Sequence, residues 1–202
     1  MSRTGWKTDG CLRSSHTMND AANECAREFR ADWGKHHDGR QPLGFVLRQD
    51  ACVPWVRFHA LPGSKRYAET EQEWDNILSR GNSLAMALFG DAAECWIITS
   101  RWDDVAGAGA PAGLWREDES EPDGAVFKFF VRKEAWAQGK FDDDLEELAD
   151  DAAHHMVWFE PRNGRIFAPY DGGFDLFLSS SEEVQTLKDH FADWLPDRPD
   201  GL

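Results

Sequence analysis

The sequence predicts an α+β domain in which a mainly antiparallel sheet has helices packed on it. Three observations carry that prediction. Segments of strand character follow one another through tight turns, above all Asn163-Gly164 and Asp171-Gly172-Gly173, and connections that short require antiparallel pairing. Other segments repeat apolar residues at spacings of three and four, the period of a helix with one buried face. The 202 residues are 41% hydrophobic and include 10 Trp and 13 Phe, which is enough for one core and points to a single domain over residues 18–202.

Each element has its own signal. Residues 1–17 mix Gly, Ser, Thr and charge without period and are expected to be a flexible leader, with Met18 at its end. In residues 19–36, Ala22, Cys25, Phe29 and Trp33 form a helical stripe. Residues 43–48 and 54–60 are rich in β-branched and aromatic residues and predict a hairpin. In its second strand Val56, Phe58 and Ala60 share one face, and Trp55, Arg57 and His59 the other. Thr70-Glu71-Gln72-Glu73 fits a capping box and opens a helix that Gly90 ends, with a kink expected at Gly81-Asn82. Residues 95–99 read as a buried strand. Residues 102–124 hold six Gly or Pro and an acidic run, and predict a surface loop inserted between that strand and the next, at 125–132.

Asp142-Asp143-Asp144 then starts a short helix, its acids placed where they complement the helix dipole. Strands at 156–159, 165–168 and 174–178 make a three-stranded meander. Ser181 with Glu182 and Glu183 begins a final helix, whose stripe of Val184, Leu187, Phe191, Trp194 and Leu195 stops at Pro196.

Charge and motifs narrow the function. The net charge is −15, but residues 1–68 carry 11 basic and 7 acidic side chains while residues 69–202 carry 11 and 30. That field repels phosphate backbones, so nucleic acid is not an expected partner and a basic protein is. No apolar run approaches the roughly 18–20 residues of a membrane span, so no membrane partner is expected, and with no apolar leader segment the expected location is cytoplasmic. Cys11, Cys25, Cys52 and Cys95 are dispersed without a C-x-x-C pair and read as reduced, mostly buried thiols. The neighbouring pairs His36-His37 and His154-His155 diverge in strand or helix, so no metal is expected. Phosphate-binding glycine loops and nucleophile-elbow patterns are missing, and no cofactor is expected.

Two sets of candidate residues remain. Glu117, Asp118, Glu119 and Glu121, with Asp142, Asp143, Asp144, Glu146, Glu147, Asp150 and Asp151, form acidic runs suited to docking a basic surface, or simply to facing water. The turn Tyr170-Asp171-Gly172-Gly173-Phe174-Asp175 is the most distinctive local feature. Its glycines permit positive φ and close approach, and Asp171 can accept bonds from the turn amides, which explains the turn structurally; the alternative is that Asp171 and Asp175 bind a cation or act as a base with His155 or Glu160. Arg48, Arg57 and His59, with Lys65 and Arg66, make a small basic group that either forms an anion pocket or pairs with the chain's own carboxylates.

The segment VWFEPRNGRIFAPYDGGFDLFL, followed by a helix ending in FADWLPDRPDGL, resembles a bacterial family of unknown function, the domain of unknown function 3885 type. The family's mark matches at Tyr170, Asp171, Gly172, Gly173 and Asp175, with Gly172 where Arg is common. RFHALPGSKRYAETEQEWDNIL resembles the family's middle segment, and the two stretches cover about a third of the chain. The resemblance implies bacterial origin and a fold; it implies no activity. The leading expectation is a non-enzymatic acidic protein-binding module, of the kind that neutralises a basic bacterial toxin as an immunity protein does. The alternative is a small enzyme or small-molecule sensor that uses the Tyr170 to Asp175 turn with the Arg48, Arg57 and His59 face.

Overall fold

The strongest turn signals in the sequence build the middle of the sheet. A computed structural model describes residues 11–102, 105–116, 126–150 and 154–196. In it β5 (His155–Glu160), β6 (Arg165–Tyr170) and β7 (Gly173–Phe177) form the expected meander. Gly164 takes φ 75° at the first turn, and the Glu160 carboxylate accepts from the backbone N–H groups of Arg162 and Asn163 there.

The sheet grows outward from that meander on both sides. β1 (Trp55–His59) pairs with β7, while β2 (Glu94–Arg101) pairs with β5 and β4 (Val126–Ala135), and β3 (Ala110–Arg116) closes the far edge. The order is β1-β7-β6-β5-β2-β4-β3, antiparallel at every pairing. Helices cover both faces of the central strands, so residues there are buried whichever way they point. Trp96, Ile97 and Ile98 are consecutive in β2 and all are at most 1% exposed.

On one face α3 (Glu71–Phe89), α4 (Asp142–Ala149) and α5 (Ser181–His190) pack over Val56, Phe58, Trp136, Trp158, Phe167 and Phe174. The cap of α3 uses Thr70 Oγ1, which accepts from the Glu73 N–H at 3.3 Å. The Glu73 carboxylate reaches back one residue further than a standard box, to the N–H of Glu69. Gly81 lies inside one unbroken α-helical span, where a Cβ would stand 3.0 Å from the Phe174 ring. Its role is close packing of helix on sheet.

On the other face α1 (Cys11–His37) lies across β3 and β4, with Ala26, Phe29 and Trp33 buried. The helix begins at Cys11, so residues 11–17 of the expected leader are helical.

Three further expectations are corrected. Residues 43–48 are no strand: Gly44–Leu47 form the one-turn helix α2, and β1 pairs with β7 instead of with them. Leu43 and Leu47, four apart and 0% and 1% exposed, bury one helical edge, and a five-residue apolar run fits either period. Within the expected loop at 102–124, residues 110–116 form β3. A Pro is tolerated there because the strand is an edge, and Gly109 (φ 114°) brings its backbone against Val131. A bulge between Pro111 and Gly113 absorbs the misfit. Cys95 is buried and Cys25 half-buried, but Cys52 is exposed, contrary to the expectation of mostly buried thiols.

Candidate functional site: an arginine-aspartate cleft

Antiparallel pairing gathers the end of β1, the start of β7, the end of β6 and the start of β5 at one end of the sheet. In register, Arg57 stands opposite Asp175, and Asp175 opposite Ala168. The helix α2 lies directly above, so close that a Cβ on Gly44 would touch that of Ala168 at 3.0 Å. Arg48, at the end of α2, is thereby aimed at the same row.

Asp175 is 2% exposed and is held from two sides. Arg57 donates to it in bidentate fashion, Nε at 2.7 Å and Nη2 at 2.8 Å, while Arg48 Nη1 lies 3.5 Å away. Burial alone would lower the Arg57 pKa, but the hydrogen bonds and charge of Asp175 outweigh it and the net direction is up. Arg57 also sits 4.4 Å from the centre of the Tyr170 ring. Burial drives the Tyr170 hydroxyl up to about 12, so it is a proton donor at neutral pH.

The turn itself is explained sterically. A Cβ on Gly173 would lie 2.2 Å from the Phe58 carbonyl, and one on Gly172 would lie 2.9 Å from the Tyr170 ring. Neither glycine has positive φ, so close approach of strand and ring is the requirement, and the expected left-handed backbone is not. Asp171 accepts from Tyr67 Oη at 3.0 Å and pairs with Arg66.

Between α2 and the β5, β6 and β7 strand ends is a cleft of about 220 Å³, lined in part by Phe45, Arg48, Arg66, His155, Tyr170, Asp171 and Asp175. Its far wall is aromatic. His155 is 5.3 Å from Phe45, 5.9 Å from Phe127 and 5.6 Å from Trp102, ring centre to ring centre. Burial among these rings depresses the His155 pKa, which leaves the imidazole neutral.

Of the residues singled out in the sequence, the structure brings Arg48, Arg57, Tyr170, Asp171, Asp175 and His155 together. His59 pairs with Gly173 and lies outside the cleft lining. Glu160 sits at the opposite end of its strand in the hairpin turn, and Lys65 pairs with Glu69, just before α3, and with Glu73 in its first turn. Arg66, of the same basic group, does line the cleft, and the aromatic wall had no local signal: Phe45, Trp102, Phe127 and His155 come from four separate segments.

The acidic set divides. Asp142 accepts from the Asn82 side chain at 2.7 Å, and half-buried Asp144 lies 3.7 Å from Arg132, its carboxyl pushed up by burial. Asp143, Glu146, Glu147 and Asp150 are exposed, with Glu147 3.6 Å from the His154 ring. Glu117, Asp118, Glu119, Glu121 and Asp151 lie outside the described residues. Among the described residues no cluster of three potential metal ligands occurs, and no helix is long and apolar enough to cross a membrane.

Fold and site together define an α+β domain built on an antiparallel sheet that is covered on both faces, with a charged and aromatic cleft at one end of one face. The family is then fixed by a match over residues 43–199 to the model described as Domain of unknown function (DUF3885), and the chain belongs to that family. Every cleft residue named above falls inside the matched span, and α1 precedes it. No curated protein and no solved structure matches the chain.

Proposed function

We propose that this chain is a non-enzymatic binding domain whose ligand, a small anion, occupies the cleft beneath α2. The observation that carries this reading is the charge of the cleft. Arg48 and Arg66 line the cleft with Asp171 and Asp175, while Arg57, buried outside the lining, takes up the charge of Asp175 and so leaves the Arg48 guanidinium to the cleft, in a chain of net charge −15. Arg57 is fully engaged by Asp175, but Arg48 is 32% exposed at its side chain and keeps guanidinium donors toward the cleft. A carboxylate or phosphate can take two parallel N–H bonds from such a group. Tyr170 adds a hydroxyl that stays protonated, and neutral His155 adds one donor or acceptor without a further charge.

The binding reading is favoured over catalysis by the same groups. Among the described residues lining the cleft there is no Ser, Thr or Cys to act as nucleophile, and a tyrosine at about 12 is a poor base at neutral pH. Titration of acetate and of inorganic phosphate at low salt, followed by melting temperature, tests the proposal. The wild-type chain is expected to gain stability with at least one of them, and Arg48→Ala to lose most of that gain. An equal rise in both proteins overturns it.

A second reading rests on α4. Asp143, Glu146, Glu147 and Asp150 stand exposed on the helix and its end while Leu145 and Leu148 anchor the opposite side in the core. Such a patch suits a basic protein, including a toxin that a bacterial cytoplasmic immunity protein would neutralise. Co-purification with the product of the neighbouring gene at low salt, lost on reversing Glu146 and Glu147 to Lys, supports it. Failure to retain that product overturns it.

A further inference from the structure

Among the described residues the large apolar side chains left exposed are Tyr67, Trp102, Val105 and Leu114. Both aromatic ones lie just outside the cleft lining, each against a different lining residue: Tyr67 against Asp171 and Trp102 against His155. Tyr67, 43% exposed, is tied by its hydroxyl to Asp171 and lies 5.4 Å from the Arg66 guanidinium. Trp102, 46% exposed, leans on His155 and Phe127 at 5.6 and 6.1 Å. Between them the wall continues inward through His155 to Phe45. The site therefore has a charged half formed by Arg48, Tyr170 and Asp175, and an aromatic half that runs from the half-buried Phe45 and His155 rings to the exposed Trp102.

Leaving a Trp almost half open to water forfeits burial that it would otherwise contribute. An aromatic rim beside a guanidinium is the arrangement that holds a planar ring by stacking while its anionic group is held by the arginine. We infer that the ligand is an anion carrying a flat ring, with its carboxylate or phosphate at Arg48 and its ring against His155 and Trp102. The inference rests on the anion-binding reading of the cleft and adds the second half of the ligand.

Calorimetric titration with two matched pairs tests it: acetate against phenylacetate, and inorganic phosphate against phenyl phosphate. In the wild-type chain the ring-bearing member of at least one pair is expected to bind roughly three- to tenfold more tightly than its ringless partner, the range of an aromatic contact. Which pair shows the gain identifies the anionic group. Trp102→Ala is expected to erase the gain and leave the ringless anion unaffected, and Trp102→Phe to keep most of it. Because Trp102 is a rim residue, both variants leave the core intact, which the unchanged melting temperature of the free protein checks.

Equal affinities within both pairs overturn the ring inference while the small-anion reading stands. A gain that survives Trp102→Ala overturns the assignment to this wall. Binding by none of the four overturns the cleft reading itself.

Discussion

The two faces of this one sheet are built on different chemistry. Under α3, α4 and α5 the face is a continuous aromatic core in which Trp136, Trp158, Phe141 and Phe167 meet at 5.2–5.9 Å, three of the five ring pairs edge to face and two tilted. Across the sheet α1 lies over β3 and β4 and reaches Trp96 of β2 and Phe159 of β5 with Phe29 and Trp33, while the short α2 leaves the strand ends beside it to a buried ion pair and a cleft. The difference shows how a domain keeps a stable scaffold and a polar site in one layer. Non-directional packing serves one face. The other depends on paired groups whose partners must all be present.

Removing one partner on each face gives the largest expected effect. Trp158→Ala and Asp175→Ala are each expected to cost about 3–5 kcal/mol, the first through a cavity, the second through an unpaired buried guanidinium. A combined Arg57→Met/Asp175→Leu variant separates them, because removing both charges should restore most of the loss on the polar face. Denaturant unfolding of the three proteins reads this out. A double variant as unstable as Asp175→Ala erases the contrast between the faces.

A smaller effect is expected at the turn joining β6 and β7. Gly173→Ala places a methyl against the Phe58 carbonyl, and overpacking of that kind costs about 1–3 kcal/mol. Gly39→Ala makes a useful control: it has open space around it and positive φ, so its cost is conformational alone. A Gly173→Ala protein as stable as the wild type removes the close-approach account of the turn.

The smallest expected effect is with pH, and it belongs only to the α1 and α2 face. Burial lowers the pKa of both His37 and His155 below the ordinary 6.5, so below that value the unfolded chain takes up protons that the folded chain resists. Their contribution is fully present above pH 6.5 and is lost as pH falls toward the folded-state values. The denaturation midpoint should therefore drop between pH 7.5 and 5.5, with a shallower drop in His155→Phe. An identical slope in that variant excludes His155 from the effect.

How much of this was legible in the sequence follows from where each signal is stored. The α3 cap is local: Thr70 and Glu73 alone predict it, although Glu73 in fact reaches Glu69. The meander is local too, in Asn163-Gly164 and the Asp171 to Gly173 turn. The α2 segment failed because five residues of mixed aromatic and aliphatic type fit either period, and the choice between them rests on tertiary burial of Leu43 and Leu47. β3 failed because Gly and Pro were read as loop formers, whereas the edge position tolerates both. Half of the cleft could be assembled from the turn and the basic group. The aromatic half is purely tertiary, since Phe45 and His155 meet only when the sheet is formed.

The bulge at Pro111 and Gly113 has a consequence beyond the shape of β3. An outermost strand with a free row of amides is a template on which a second chain can add, and this one also displays Leu114 at 70% exposure. Pro111 lacks the amide and the bulge breaks the repeat, so strand addition from another molecule finds no continuous ladder. The irregularity that disguised β3 as a loop thus makes this edge of the sheet a poor template for strand addition.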